Sequence, residues 1–306
     1  GYGLDAMWND DFHHSAMVAL TGRSEAYYSD YQGSPQEFIS AAKRGFLFQG
    51  QHYFWQKTGR GSPGLDLEPA SFVTFLQNHD QVANTLWGRR LQDEGHPGVV
   101  RALTALLLLG PGTPMLFQGQ EFAASNPFLY FAHHEPALAR LVAEGRKKFM
   151  GQFPSIEICH AAGLLAEPAD EETFRRSQLD HSEREKHREA WKLHRDLLRL
   201  RHGDPVIGRA KKGSVDGAVL GPHSFVLRYF GGPAGDRLLI VNLGREYHLR
   251  PTPEPLLGPP ELGPWTLRWS SENPAYGGAG MADCFRAQEG WILPANSALL
   301  FVSPHH

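Results

Sequence analysis

An apolar run, SFVTFL at residues 71–76, is followed by an apolar helical pattern and then by a second short run, PGTPMLF. A continuous apolar run of this length is typical of a strand that is covered on both faces, as parallel strands are. An earlier short strand pattern at residues 1–8 is followed by a helix start, with Ser34 as N-cap and Pro35 at the first helical position. Strands and helices therefore alternate over the first half, which predicts an α/β fold with parallel strands.

The pattern changes after about residue 204. Short β-rich runs follow, among them SFVLRYF, RLLIVNL, WTLRWS and ALLFV, and clusters of Gly and Pro separate them. This arrangement is typical of a small antiparallel β-sandwich. We therefore predict two domains, an α/β part at residues 1–204 and a β-sandwich at residues 205–306, and a chain of 306 residues is long enough for both.

Composition excludes several classes of partner. The formal net charge of -3 gives no electrostatic argument for binding nucleic acid. The longest apolar stretch, residues 102–110, has the length of a buried element, so we expect no membrane partner, and without a visible signal peptide we expect a cytoplasmic protein. Cys159 and Cys284 lie far apart and form no CxxC pattern, so we expect reduced thiols.

Polar residues come directly after the apolar run at residues 71–76, in the order Gln77, Asn78, His79, Asp80 and Gln81. In parallel α/β folds the functional residues lie just past the carboxyl ends of strands. A carboxylate there could stabilise positive charge in a transition state or bind sugar hydroxyls, and the neighbouring imidazole could donate to an oxygen. The alternative is that Asp80 caps the next helix. We predict Asp80 as catalytic and Asn78, His79 and Gln81 as substrate-binding.

The run WNDDFHH, which begins at Trp8, is predicted to be a polar and aromatic loop. Its carboxylates and imidazoles could bind a metal, but neighbours in a short loop point in different directions, and we predict no metal. Aromatic rings between amides and carboxylates are more typical of a surface on which sugars stack. The alternative is a Trp packed in the rim of a barrel. The substrate-binding candidates in this run are Trp8, Asn9, Asp10, Asp11, Phe12 and His13.

Glu121 follows the third strand at the same level and is a further substrate-binding candidate, although a solvated or structural Glu is the alternative. No cofactor is predicted. The Gly-rich run GRGSPG lacks the Lys–Ser/Thr ending of a phosphate-binding loop, and there is no Gly-x-Ser-x-Gly elbow.

Four segments carry a resemblance to known enzymes. FLQNHDQVANTLWGRRL resembles the Asn-His-Asp segment of the alpha-amylase clan of glycoside hydrolases, and GTPMLFQGQEF resembles the eighth strand and following loop of the same clan. GYGLDAMWNDDFHH and NPFLYFAHHEPALARLVAEGRKKFMGQF are similar to the maltooligosyltrehalose trehalohydrolase family within that clan. The resemblance covers most of residues 1–204, and residues 205–306 are similar to the clan's terminal β-sandwich. Ala83 departs from the Gly expected there.

This resemblance implies the C-terminal part of a (β/α)8 barrel, about its last three βα units, followed by the sandwich. It also implies hydrolysis of the α-1,4 bond next to the terminal trehalose of maltooligosyl trehalose by a retaining mechanism, in which two carboxylates lie about 5 to 5.5 Å apart. Asp80 matches the Asp that holds the sugar at the cleavage point, and His79 matches the His that bonds the same sugar. Asp10 and Asp11 match at most a substrate-side role.

The nucleophile Asp and the acid/base Glu of the clan follow the fourth and fifth strands, and neither has a match in this sequence. Three strands of an eight-stranded barrel also cannot close. We therefore expect residues 1–306 to be the C-terminal part of a longer polypeptide, with the N-terminal half of the barrel as their partner. Two alternatives remain, a relative that branches or debranches α-glucans and a non-catalytic fragment that binds them.

Overall fold

A computed structural model describes residues 3–156, 165–260, 263–280, 284–286 and 290–304. The helices in these ranges are α1 Asp10–Thr21, α2 Pro35–Arg44, α3 His79–Ala83, α4 Pro97–Leu109, α5 Pro136–Met150, α6 Glu171–Arg176, α7 Glu183–Lys186 and α8 Arg188–Gly203. The strands are β1 Met7–Asn9, β2 His52–Tyr53, β3 Thr58–Gly59, β4 Phe72–Thr74, β5 Thr113–Pro114, β6 Val215–Gly221, β7 Ser224–Tyr229, β8 Arg237–Asn242, β9 Tyr247–Leu249, β10 Thr266–Ser270, β11 Phe285–Arg286, β12 Gly290–Leu293 and β13 Ser297–Val302.

The first half contains a parallel sheet of three strands in the order β1-β4-β5, as the sequence predicts. Their carboxyl ends lie at one edge, and α1, α3 and the 3-10 turn Gln120–Phe122 begin just beyond them. The sequence predicts that these parallel strands are buried on both faces, but the structure shows only part of this burial. Thr74 is half-buried and Thr113 is exposed, while Met7 and Trp8 are 57% and 46% exposed. These strands therefore leave apolar surface uncovered within the described residues.

Helix α1 corrects one prediction, because the run WNDDFHH is the start of a helix and not a loop. The side chain of Asn9 caps the helix by accepting the N–H of Phe12 at 3.4 Å. Asp10 and Asp11 occupy the first turn, where the helix dipole favours negative charge. Polar residues of this kind are common both in loops and at helix starts, and this ambiguity explains the error.

The other predicted helices in this half are confirmed. At the start of α2 the Glu37 carboxylate accepts the backbone N–H of Ser34 at 3.0 Å, as a capping box requires. Helix α4 ends just before Gly110, and most of its residues are buried because it packs on both the parallel part and the sandwich. A helix that is apolar all round is expected to lie in the interior.

The second half is an antiparallel sandwich. Five strands form one sheet in the order β10-β13-β8-β7-β6, and β11, β12 and β9 form the other. Side chains between the two sheets form a separate core that includes Val226, Leu238, Ile240, Trp291 and Phe301. Alternate residues on the five-stranded sheet point the other way, towards the helices, so its central strands are buried on both faces.

One hydrophobic core joins the two halves. The ring of Phe38 on α2 stacks on Phe225 of β7 with centroids 5.6 Å apart, and the Tyr229 hydroxyl donates to the Leu109 carbonyl at 2.7 Å. Arg101 on α4 pairs with Glu272 at 2.9 Å. The domain boundary near residue 204 stays a prediction, because α8 ends at Gly203 while the core continues into the sandwich.

Two further sequence predictions concern the absence of a membrane partner and the state of the cysteine thiols. Across the ranges that the structure describes, no helix is both long enough and apolar enough to cross a membrane. Cys284 is buried. Cys159 lies outside the described residues, so the predicted thiol state stays a prediction.

Candidate active site

A cleft of about 630 Å³ lies beyond the carboxyl ends of β1 and β4. Asp10 comes from the first turn of α1, and Asp80 and Gln81 come from α3. Trp55 and Arg60 come from the β2–β3 hairpin and the loop after it, and one face of α5 completes the wall. The cleft therefore combines two carboxylates, two guanidinium groups and aromatic rings at the strand ends where the sequence predicts a site.

Asp80 is exposed because its neighbour caps the helix. The Asn78 side chain accepts the backbone N–H groups of Asp80 and Gln81 at 3.0 and 3.1 Å. Asn78 therefore performs the capping that was the alternative role of Asp80, and the Asp80 side chain stays 63% exposed. His79 Nε2 lies 3.4 Å from Asp80 Oδ1, and the Trp8 ring lies edge-on to His79 with centroids 6.0 Å apart. Trp8, His79 and Asp80 thus form an accessible group at the strand ends.

Asp10 is the second carboxylate of the cleft, and its pKa is raised above the ordinary value. Burial is the main cause, and the negative charges of Asp11 and Asp80 act in the same direction. The Arg60 guanidinium and a hydrogen bond from the Gln81 side chain oppose the rise. Asp10 and Gln81 are half-buried and line the cleft, and their contact with substrate stays a prediction.

Asp11 has a different position from the one expected of a substrate-binding residue. Its carboxylate is buried and accepts the Tyr31 hydroxyl at 2.5 Å and the backbone N–H groups of Leu47 and Phe48 at 2.7 and 3.2 Å. Arg60 lies 3.3 Å from the same carboxylate. Asp11 therefore anchors the segment after α2 to α1, and we reassign it from ligand contact to structural support.

Four other candidates are buried as well and are reassigned in the same way. Asn78 and Asn9 cap helices, and the Asn9 amide also donates to the Gly45 carbonyl at 3.1 Å. Phe12 packs edge-on to the Phe38 ring in the core. The sugar surface predicted at Trp8 and Phe12 therefore retains only Trp8.

His13 is the fourth of these buried candidates. Its two ring nitrogens lie 2.7 Å from the Leu76 carbonyl and 3.1 Å from the Tyr28 hydroxyl. Burial lowers the pKa of His13 to about 4, so the ring is neutral at neutral pH. The ring also stacks on Phe75, the residue directly after β4, and thus packs α1 against the carboxyl end of that strand.

Glu121 is not among the residues that line the cleft. It is half-buried in the 3-10 turn Gln120–Phe122. Burial lowers the pKa values of Arg90 and His194, and the charge of Glu121 partly opposes this lowering. The alternative of a structural Glu agrees better with this position than the predicted contact with substrate does.

Several cleft residues were missed by sequence reasoning. Arg60, Trp55, Tyr130 and Arg146 line the cleft, but they lie in a Gly-rich loop, a hairpin, a loop and a helix without any local motif. The only signal in the sequence was the resemblance of the segment that contains Tyr130 and Arg146. In the described part of the chain no group of three or more His, Cys, Asp or Glu residues is placed to hold a metal ion, and the absence of a metal stays a prediction.

Comparison with known proteins gives matches along most of the chain. A curated malto-oligosyltrehalose trehalohydrolase from Deinococcus radiodurans is 40% identical over 249 residues, which is 79% of this chain and 40% of that protein. A protein of the same name from Arthrobacter ramosus is 36% identical over 77% of this chain and 42% of its own length. The predicted resemblance to the trehalohydrolases is confirmed. The chain spans about two-fifths of the length of these trehalohydrolases.

Comparison of structures and of domains agrees with the predicted fold. A Salmonella typhimurium protein assigned as an alpha amylase aligns with a TM-score of 0.77 and 29% identity, over 98% of this chain and 47% of that one. Residues 212–300 match the family described as a domain of unknown function (DUF3459). The fold class is thus confirmed as the C-terminal part of a (β/α)8 barrel followed by an antiparallel β-sandwich.

Proposed function

We propose that this protein is a glycoside hydrolase that acts on α-1,4-glucans and releases trehalose from maltooligosyl trehalose by a retaining mechanism in the cytoplasm. The observation that carries the proposal is the exposed pair Asp80 and His79 just beyond the carboxyl end of β4, of which Asp80 lines a cleft that also contains aromatic rings. The similarity to proteins named malto-oligosyltrehalose trehalohydrolase supports this choice of substrate.

Asp80 stabilises the positive charge that develops on the sugar during cleavage, and His79 binds a hydroxyl of the same sugar. Trp8, Asp10 and Gln81 contact neighbouring sugar units through a ring face and through hydrogen bonds. The mechanism needs two further carboxylates, a nucleophile and an acid/base. We propose that both belong to a part of the polypeptide outside residues 1–306, since the chain spans only two-fifths of its trehalohydrolase relatives.

The test is product analysis with maltooligosyl trehalose and the complete protein, together with its intact mass. We expect free trehalose from the wild type, a turnover lower by about 10²-fold or more in Asp80→Asn, and unchanged turnover in Asp66→Asn, an exposed control.

A mass above 34.1 kDa would support the proposed location of the other carboxylates. Products without trehalose would refute the choice of substrate, and cleavage at branch points of a branched glucan would favour a branching or debranching relative.

A second candidate is a non-catalytic fragment that binds α-glucan. The accessible aromatic rings of the cleft, among them Trp55 and Tyr130, favour it, because such rings bind sugars without any cleavage. Retention on a glucan column without hydrolysis, by a protein of 34.1 kDa, would support this candidate over the hydrolase.

A further inference from the structure

Helix α5 contributes one complete face to the cleft. Val142, Gly145, Arg146 and Phe149 line it, and their spacing of three and four residues places them on the same side of the helix. The facing wall carries Asp10, Trp55 and Arg60. The wall formed by α5 lies far in sequence from the strand ends, and only the resemblance of its segment to the trehalohydrolases pointed to it.

Gly145 is unusual in this face. Glycine in the interior of a helix weakens it relative to alanine, because glycine loses more backbone freedom on folding. A Cβ added at Gly145 would meet no atom within 4 Å, so the packing of the protein does not require a glycine there. By contrast, a Cβ at Gly98 in α4 would lie 2.9 Å from Asn296. Helix α5 thus contains a residue of low helix propensity, and among the described residues nothing fills the space that its missing side chain leaves in the cleft.

The surroundings of this space suit a sugar. The exposed rings of Tyr130 and Phe149 both lie near the Arg146 guanidinium, at 4.9 and 5.8 Å from ring centroid to guanidinium carbon. Exposed aromatic faces bind the C–H surfaces of sugars, and a guanidinium donates to hydroxyl oxygens. The side chains that border the space therefore offer both apolar and hydrogen-bonding surface, which suits the C–H faces and the hydroxyl rim of a glucose unit.

We propose that this face of α5 is a wall of the glucan-binding cleft and that Gly145 is a specificity-determining residue whose missing side chain admits a sugar unit. This inference rests on the proposed function, since it takes an α-glucan as the ligand. It adds a binding surface that the residues at the strand ends do not supply.

The test uses the complete protein, with maltohexaose as the probe in calorimetric titrations. Gly145→Leu should weaken binding by on the order of tenfold or more, because the side chain occupies the space. The same change should raise Tm by about 1 °C, because leucine favours the helix over glycine and an added Cβ meets no atom within 4 Å. Gly145→Ala should raise Tm in the same way while affinity stays within about twofold. Weaker binding together with a higher Tm would exclude misfolding as the cause of the lost affinity.

The matched control is Gly203→Leu, at the last residue of α8, where an added Cβ also meets nothing within 4 Å but which lies outside the cleft. It should leave affinity unchanged. If the wild type binds maltohexaose and Gly145→Leu binds equally well, the α5 wall is refuted while the proposed function stands. If the wild type binds no glucan, the proposed function fails and the α5 wall fails with it.

Discussion

Arg146 on α5 donates a hydrogen bond to the side-chain oxygen of Asn84 at 2.6 Å, and Asn84 is the C-cap residue directly after α3. The same guanidinium donates to the carbonyl of Ala83. Helix α3 has only five residues and carries Asp80 in its first turn. It is held by the Asn78 cap at its start and by Arg146 at its end, so the position of Asp80 depends on a residue from a distant helix.

Replacing Arg146 should therefore loosen α3. We expect Arg146→Gln to lose about 2 kcal/mol of unfolding free energy, as is typical for hydrogen bonds from a charged donor. Turnover should fall more than KM changes, and amide exchange in residues 82–85 should become faster. Arg146→Lys should restore only part of this, because an ammonium cannot reproduce the two-pronged contact. Arg140→Gln, an exposed position on the same helix, is the control. Unchanged exchange at α3 in Arg146→Gln would show that Arg146 does not position this helix.

Asp11 and Asp80 should give opposite phenotypes although both are acidic residues at strand ends. Asp11→Ala leaves the buried hydroxyl of Tyr31 and the part-buried N–H groups of Leu47 and Phe48 without their acceptor, so we expect a loss of about 3 to 5 kcal/mol in unfolding free energy. Asp80→Asn should change stability by less than about 0.5 kcal/mol, because its side chain is exposed. Urea unfolding of both variants measures the difference. A stable Asp11→Ala protein would contradict the anchoring role.

Asp10 should make stability depend on pH with a definite sign. Its pKa is raised, so between the ordinary value of 3.8 and the raised value the folded protein binds more protons than the unfolded chain. The stabilising effect of this group is complete below pH 3.8 and is lost as pH rises through the raised pKa. Asp10→Asn should therefore gain stability relative to the wild type as pH increases across this window, measured by urea unfolding at several pH values.

Asp216 provides a control of opposite sign. A hydrogen bond from Lys43 is the main reason that the pKa of Asp216 is lowered. Its stabilising effect is present above pH 3.8 and is lost as pH falls through the lowered pKa. Asp216→Asn should lose stability at neutral pH where Asp10→Asn gains it. The same direction of change in both variants would refute the assignment for Asp10.

The shared core should make the two halves unfold together. Tyr229→Phe removes the hydrogen bond to the Leu109 carbonyl, and we expect a cost of about 1 to 2 kcal/mol from the buried acceptor left behind. Because the same core contains residues of α4 and of the five-stranded sheet, calorimetry should show one transition, and the variant should lower its Tm without splitting it. Two separate transitions in the wild type would contradict this coupling, and the predicted boundary near residue 204 would then mark an independent unit.

Local patterns in the sequence were sufficient to predict most of the secondary structure and the fold class of this protein. The apolar runs and their alternation predicted the parallel strands, the buried helix α4 and the antiparallel sandwich, because periodicity and turn residues act over a few positions. The capping residues Ser34, Pro35 and Glu37 predicted the start of α2 for the same reason. The position of Asp80 just after a strand was likewise sufficient to predict its place at the site.

Only the tertiary structure decided which of the polar residues line the cleft. From the sequence, Asp10 and Asp11 had the same predicted role. In the structure Asp10 lines the cleft, whereas Asp11 is buried among donors that lie 20 to 37 residues away in the chain. Arg146 reaches Asn84 across 62 residues, and no local pattern marks that contact. Burial and hydrogen bonding at such distances depend on how the elements pack, and a sequence pattern that repeats every two or four residues contains no information about that packing.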